Sequence, residues 1–291
     1  MEKELKAKPL VKALYQDLGD QISRVRIKPH LTVLMIGEDP AAEFYIRNIE
    51  KNGQKIGIIT DIRKLNISLS QSELIALIIE LNNDPSVHAI MVQKPLPAHI
   101  DDNIIASTIK PEKDVDGFNP VNLGRMLLEA EALIPSTPAA VMEMIRYYNI
   151  NLQGKHTVLC GRSHIVGKPL LNLLINKQEP GNATVTICHS RTFDLEVYTK
   201  QADILITALG KAKFIKKEMI KDGVIILDVG TNEVGEGDNR YYTGDVDYED
   251  CFPKAAAITP VPGGIGSVTT SMLLRNVWKA YSIQNSSFSS S

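Results

Sequence analysis

Residues 160–167 read Cys160-Gly161-Arg162-Ser163-His164-Ile165-Val166-Gly167, between an apolar run and a helical pattern. This is a strand-to-helix turn of the GxSxxxG kind, a relative of the dinucleotide fingerprint. Gly161 permits the tight turn, and Gly167 lets the helix approach the sheet. The loop amides and the helix N-terminus would then face a pyrophosphate. Taken alone, such a loop serves an ordinary strand–helix turn equally well. The next strand adds the discriminating chemistry. An NAD site usually ends that strand with Asp or Glu to hold the ribose 2′-hydroxyl. Here the end reads His189-Ser190-Arg191-Thr192, which has donors and no acid. With Arg162 it suits a 2′-phosphate and favours NADP over NAD. The plainer alternative makes Arg162 and Arg191 solvated loop residues.

Helix and strand signals alternate around this loop, and no internal repeat is present. Residues 2–26 carry Leu5, Leu10, Leu14, Leu18 and Ile22 at near-helical spacing. Strands are expected at 31–37, 56–65 and 87–93. A polar-faced helix should fill 41–55, and a helix opened by the Ser70/Glu73 capping box should end near Asn82. Residues 111–124 read as irregular. Thr137-Pro138 reads as a helix start, with Pro at the first helical position and an end near Tyr148. Further strands are expected at 156–161, 183–190, 202–210, 223–230 and 255–264, with helices at 168–177 and 267–281. The strand–helix–strand rhythm implies parallel pairing with right-handed crossovers. The fold class is therefore α/β, in two lobes: 1–137 completed by the last helix, then 138–266. A cleft between lobes is the natural ligand site, and 282–291 reads as a disordered tail.

The chain has 291 residues, 44% of them hydrophobic and 23% charged, with a net charge of −2. That describes a globular protein with no basic excess for a nucleic-acid backbone. Cys160, Cys188 and Cys251 lie far apart, which argues against a disulfide framework or a structural zinc site, and no motif calls for a metal. No apolar run approaches the ~20 residues of a membrane span. The start alternates charge with apolar residues, unlike a signal core, so the expected location is the cytoplasm, with no membrane partner.

Several phrases occur together and in order: GEDPAAEFY (37–45), MVQKPLP (91–97), PEKDVDGFNPVNLGR (111–125), PSTP (135–138), GRSHIVGKP (161–169), DVGTN (228–232) and ITPVPGGIG (258–266). On these the chain resembles the bifunctional methylenetetrahydrofolate dehydrogenase/methenyltetrahydrofolate cyclohydrolase family over residues 5–281. The resemblance implies an N-terminal folate-binding lobe, a C-terminal NADP-binding Rossmann lobe and a homodimer. It also implies tetrahydrofolate one-carbon derivatives as substrates. Tyr45, Gln93 and Asp116 would then be the catalytic and folate-lining residues, with Pro262, Gly263 and Gly266 shaping the other wall. Thr137, Gly161, Arg162, Ser163, Ser190 and Thr231 would contact the dinucleotide. Singly, Tyr45 passes for a half-buried helix tyrosine, Gln93 for a strand-end amide and Asp116 for a turn residue. The constellation outweighs those readings.

One position departs from the family pattern Tyr-x-x-x-Lys, whose i, i+4 spacing puts both side chains on one helical face. The segment here is Tyr45-Ile46-Arg47-Asn48-Ile49, with Ile49 in place of the lysine. Lys51 lies about 240° around the helix from Tyr45 at ~100° per residue, and Arg47 also faces elsewhere. Lys94 follows Gln93 where the family usually has Leu. Strand alternation counts against it as a replacement, and a bend before Pro95 would bring it round. Hydride transfer from the methylene carbon needs chiefly two rings held in register. The hydrolytic step needs a group to manage protons, and losing one typically costs ~10²–10⁴-fold. The expectation is a retained dehydrogenase with weak or absent cyclohydrolase. Full bifunctionality through Lys94 or ordered water, and a silent NADP- or folate-binding partner subunit, are the alternatives. An unrelated hydroxy-acid dehydrogenase stands further off, because His164 and His189 sit in cofactor-side segments. Ser136, for the family's Cys, should be tolerated, whereas Ser267, for a Pro, would loosen its loop.

Overall fold

The computed structural model of the chain describes residues 2–236 and 239–286. It has two compact units: Ala13–Ser136 with the chain from Thr270 onward, and the chain up to Lys12 with Thr137–Thr269. In chain order the first run of elements is α1 (Ala7–Ser23), β1 (His30–Ile36), α2 (Pro40–Ile56), β2 (Ile59–Leu65), α3 (Gln71–Asn83), β3 (Ala89–Val92), α4 (Asp102–Thr108) and α5 (Pro120–Leu127). The rest are α6 (Ser136–Tyr147), β4 (His156–Cys160), α7 (Gly167–Ile175), β5 (Thr184–Cys188), α8 (Leu195–Thr199), β6 (Ile204–Thr207), β7 (Ile225–Asp228), β8 (Asn232–Val234), β9 (Tyr241–Thr243), α9 (Tyr248–Cys251), β10 (Ala257–Ile258) and α10 (Ile265–Ser286).

The first unit is built on a parallel sheet in the order β2-β1-β3. Alternation along β1 feeds two cores, because successive strand side chains face opposite ways. Leu31, Val33 and Met35 pack with Ile46 and Ile49 of α2 and Leu273, Leu274 and Val277 of α10. Leu34 packs instead with Leu74, Ile78 and Leu81 of α3. Both faces are covered, as a parallel sheet requires. Asp39 caps α2 by accepting from the Ala41 amide at 2.9 Å, Pro40 follows the cap, and Gly57 at φ 88° ends the helix. The Ser70/Glu73 capping box is present at the start of α3. The segment read as irregular holds the start of α5, where Asn119 accepts from the Val121 amide at 2.8 Å. The signal was there, an Asn cap before Pro120, but within only eight helical residues. Asp101 caps α4, which the periodicity did not reveal.

The second unit carries a parallel sheet in the order β10-β7-β6-β4-β5. Numbered by appearance this is the 2-1-3-4-5 doubly wound order, whose switch point lies between β4 and β6. Residues expected with the first lobe open this unit: the Leu5 amide donates to Ile258 O at 2.9 Å, and the Ile258 amide to Lys3 O at 2.8 Å. The antiparallel β8–β9 pair was not foreseen in the sequence. The last helix runs on to Ser286, and residues 287–291 of the expected tail lie outside the described residues. Among the described residues no helix is long and apolar enough to cross a membrane.

Candidate active site

In the second unit, the GxSxxxG loop leaves β4 at the switch point. Gly161 has φ 140°, and a Cβ there would run into the carbonyl oxygen of Ala208. A Cβ on Gly167 would strike the Gly161 carbonyl, so both glycines are sterically required. Ser163 Oγ accepts from the Val166 amide at 3.0 Å and the Gly167 amide at 3.4 Å. Those two amides therefore close the loop on itself.

A hollow of about 290 Å³ opens beside this loop, at the C-terminal ends of β4, β5 and β6. Gly161, Arg162, His189, Ser190 and Lys211 are among the residues that line it. The lining carries no acid among the described residues. Arg191, paired with Arg162 in the sequence reading, does not line it. Its backbone amide instead donates to His189 Nδ1 at 3.1 Å, within a turn where Thr192 Oγ1 accepts from the His189 amide at 2.9 Å. Lys211 supplies a second cation that local sequence did not mark, and its ammonium stands 5.0 Å from the Phe214 ring centroid.

Beneath this hollow lies a buried acidic brace. Asp245 accepts from the amides of Leu209 at 2.5 Å, Gly210 at 3.3 Å and Lys211 at 2.9 Å, and from Asn232 Nδ2 at 3.0 Å. Asp228 accepts from Thr207 Oγ1 at 2.9 Å and the amides of Gly230, Asp245 and Val246. Burial, reinforced by the Asp245 charge, pushes the Asp228 carboxyl up to about 6 despite these bonds. A glycine-rich strand end thus takes its shape from two carboxylates distant in sequence.

Of the remaining residues expected at the dinucleotide or the second folate wall, Thr231 is exposed after β7 and does not line the hollow. A Cβ built on Gly266 would stand 3.6 Å from its hydroxyl. Gly263 has φ 102°, and its carbonyl accepts from the Ala7 amide at 2.8 Å, next to the exposed Pro262. Gly266 and Ser267 fall in the first turn of α10, and the Ser267 amide donates to Gly264 O at 3.0 Å. A proline could not make that bond. Thr137 is half-buried in the first turn of α6. Ser136 before it is buried with its hydroxyl unpartnered.

In the first unit, Tyr45, Gln93 and Asp116 come from α2, the end of β3 and the loop before α5. Tyr45 is half-buried against the core. Burial, then the charge of Asp116 and the presence of Tyr15, drive its phenol far above the usual range. Gln93 donates from Nε2 to Lys94 O at 2.6 Å, while its Oε1 is buried without a hydrogen-bond partner. Buried acceptors are rarely left open, so this oxygen fits a ligand's N–H. Burial and the neighbouring Asp114 charge push the Asp116 carboxyl up to about 7, and Lys94 opposes them. Asp114 is held by the Asn119 amide at 2.7 Å, the Gly117 amide at 3.2 Å and Asn122 Nδ2 at 3.2 Å.

Ile49 is 0% exposed and completes the buried stripe Ala42, Ile46, Ile49, Gly53 and Ile56 on α2. Arg47 points to Glu43, 2.9 Å away, and Lys51 is exposed, so neither replaces a cation beside Tyr45. Because β3 ends at Val92, strand alternation no longer governs Lys94. Its ammonium stands 3.0 Å from Asp102 Oδ2 and 5.2 Å from the Phe118 ring centroid.

Two family models cover most of the chain: the tetrahydrofolate dehydrogenase/cyclohydrolase catalytic domain over residues 5–116, and the NAD(P)-binding domain of the same family over 135–285. The bifunctional protein FolD of Chloroherpeton thalassium is 46% identical over 286 residues, spanning 97% of this chain and 96% of its own. The crystal structure of the Campylobacter jejuni bifunctional FolD dehydrogenase/cyclohydrolase superposes with a TM-score of 0.91 at 40% identity, covering 96% of this chain and 98% of that one. The Trypanosoma brucei methylenetetrahydrofolate dehydrogenase-cyclohydrolase, crystallised with NADP and an inhibitor, matches with a TM-score of 0.89 at 34% identity over 96% of both chains. With both domain models matched in order and the relatives aligned nearly end to end, the chain belongs to the tetrahydrofolate dehydrogenase/cyclohydrolase family.

Proposed function

We propose that this chain oxidises 5,10-methylenetetrahydrofolate to 5,10-methenyltetrahydrofolate with NADP⁺, and that its conversion of the product to 10-formyltetrahydrofolate is weak or absent. The observation that carries the second half is Ile49, buried one helical turn from Tyr45 where the family places a lysine. An alkyl side chain neither gives nor takes a proton, and no other cation of α2 turns to that face.

NADP⁺ when bound supplies the hydride acceptor. Arg162, with Ser190 and Lys211, suits the 2′-phosphate, because the lining offers cations and donors and no competing acid. The Asp245 brace fixes the amides of 209–211 that shape the pocket wall. On the folate side, Asp116 takes the pterin's N–H donors as a carboxylate, and Gln93 Oε1 accepts another. Tyr45, kept protonated across the physiological range by its surroundings, acts as a donor. Pro262, Gly263 and Gly266 form the second folate wall, and Thr137, Gly161, Ser163 and Thr231 complete the cofactor contacts. The two lobes, with the last helix returning to the first and the opening residues up to Lys12 going with the second, are the working domains, in a cytoplasmic homodimer. A molar mass in solution near that of the single chain would refute the dimer.

The test incubates pure protein with NADP⁺ and 5,10-methylenetetrahydrofolate and quantifies NADPH, methenyl and formyl products against a no-enzyme blank. NADPH with accumulating methenyl product is expected. Formyl product above the blank overturns the split activity, and absence of NADPH overturns the dehydrogenase. Ile49→Lys should raise formyl production; no gain would sink this account of the position.

A further inference from the structure

The hollow beside Asp116 holds one cation among three carboxylates. Lys94, Asp102, Asp114, Asp116 and Phe118 all line it, around only about 20 Å³ of space. Lys94 is fixed there from two sides, by Asp102 Oδ2 at 3.0 Å and by the face of Phe118 at 5.2 Å. Its backbone carbonyl is held as well, by Gln93 Nε2 at 2.6 Å. An ammonium held by a carboxylate and a ring face, on an anchored backbone, is a placed charge.

We propose that Lys94 is a positioning residue of the folate site: it offsets the crowded negative charge of Asp114 and Asp116, so that Asp116 stays ionised to accept the N–H donors of the pterin. This rests on the folate-binding reading above. It gives Lys94 a different task from that of the missing lysine, which would have moved protons.

The charge balance around Asp116 is legible group by group. Asp114, on the same loop, repels its ionised form, and burial adds to that cost. Tyr45 of α2, a neutral phenol, lies within electrostatic reach of it, and Tyr15 of α1 within reach of Tyr45. Lys94, just beyond β3, is the group that favours the carboxylate, and Asp102 of α4 holds it in place. Asp114 already spends its oxygens on Asn119, Gly117 and Asn122, so it cannot relieve Asp116 by turning away. With the Asp116 midpoint at about 7, a modest change in local charge alters the ionised fraction at neutral pH.

Two readouts test this. Carboxyl-¹³C aspartate labelling follows the Asp116 midpoint in the ligand-free protein, with Asp116→Asn assigning the signal. Calorimetric titration with tetrahydrofolate between pH 6 and 9 follows the consequence. Lys94→Met should raise the midpoint. A tenfold drop in the acid's dissociation constant leaves about a fifth of the wild-type ionised fraction at pH 7, hence roughly fivefold weaker binding that recovers by pH 9. Lys94→Arg should restore the wild-type profile. An unmoved midpoint, or an affinity loss equal at every pH, overturns the inference. If the wild type binds no tetrahydrofolate, the functional reading falls. If it binds while Lys94→Met leaves the midpoint unchanged, only the role of Lys94 falls.

Discussion

Ile49 stands one helical turn beyond Tyr45 on the same face of α2, yet the two side chains have different surroundings. Tyr45 is half-exposed within electrostatic reach of Asp116, whereas Ile49 is sealed among Leu273, Leu274 and Val277 of α10 and the odd-numbered residues of β1. The position therefore does structural work here. Ile49→Ala should lower stability by about 2–5 kcal/mol through the cavity it leaves, read as a shift in urea midpoint, without changing the ratio of methenyl to formyl product. A change in that ratio would mean that isoleucine itself takes part in the chemistry.

Asp116 should trade stability for binding. Its carboxyl titrates at about 7 in the folded chain against an ordinary 3.8, so the fold holds its proton more tightly than the unfolded chain does. That contribution is complete below the unfolded value and is lost as pH rises through the folded one. Asp116→Asn should therefore melt with the wild type near pH 4 and above it at pH 8, while tetrahydrofolate binding collapses. Equal melting differences at both pH values would contradict this.

Arg162 should set cofactor preference. Replacing it with Gln removes one charge-assisted bond to a 2′-phosphate, worth ~1.5–3 kcal/mol, so KM for NADP⁺ should rise about tenfold or more. KM for NAD⁺, which lacks that phosphate, should move little. Parallel losses for both cofactors would place Arg162 on the shared pyrophosphate.

Asp245, at 0% exposure, should matter more than its sequence surroundings suggest. Asp245→Asn puts an NH₂ where one carboxylate oxygen stood, leaving at least one of the 209–211 amides without its acceptor. A loss of about 1–3 kcal/mol follows for each such group, together with weaker NADP⁺ binding. Urea unfolding measures the first and cofactor titration the second; an unshifted urea midpoint would refute the brace.

What could be read from sequence was what repeats locally. The apolar runs of β1 and β4 to β7, the Ser70/Glu73 box and the glycine loop all announce themselves within a few residues. So does the absence of an acid after β5, and the hollow does gather Arg162 and Ser190. Lys211 and Asp245 were missed because their roles depend on partners many residues away. The Asp245 bonds to the 209–211 amides, for example, span 34 to 36 positions. The short helix α5 was lost among turn-forming residues. The opening segment was assigned to the wrong neighbours for the same reason, since nothing near Leu5 points to Ile258.

The pairing of Lys3 and Leu5 with Ile258 bears on how the chain is made. Lys3 and Leu5 cannot find their place until their partner strand is synthesised, some 253 positions later. At roughly 5–20 residues per second that is a wait on the order of 10–50 s. During that time this segment lacks its strand partner, and its backbone donors and acceptors stay open to other chains. A fusion at either end leaves this interval unchanged, because only the residues between the two partners set it.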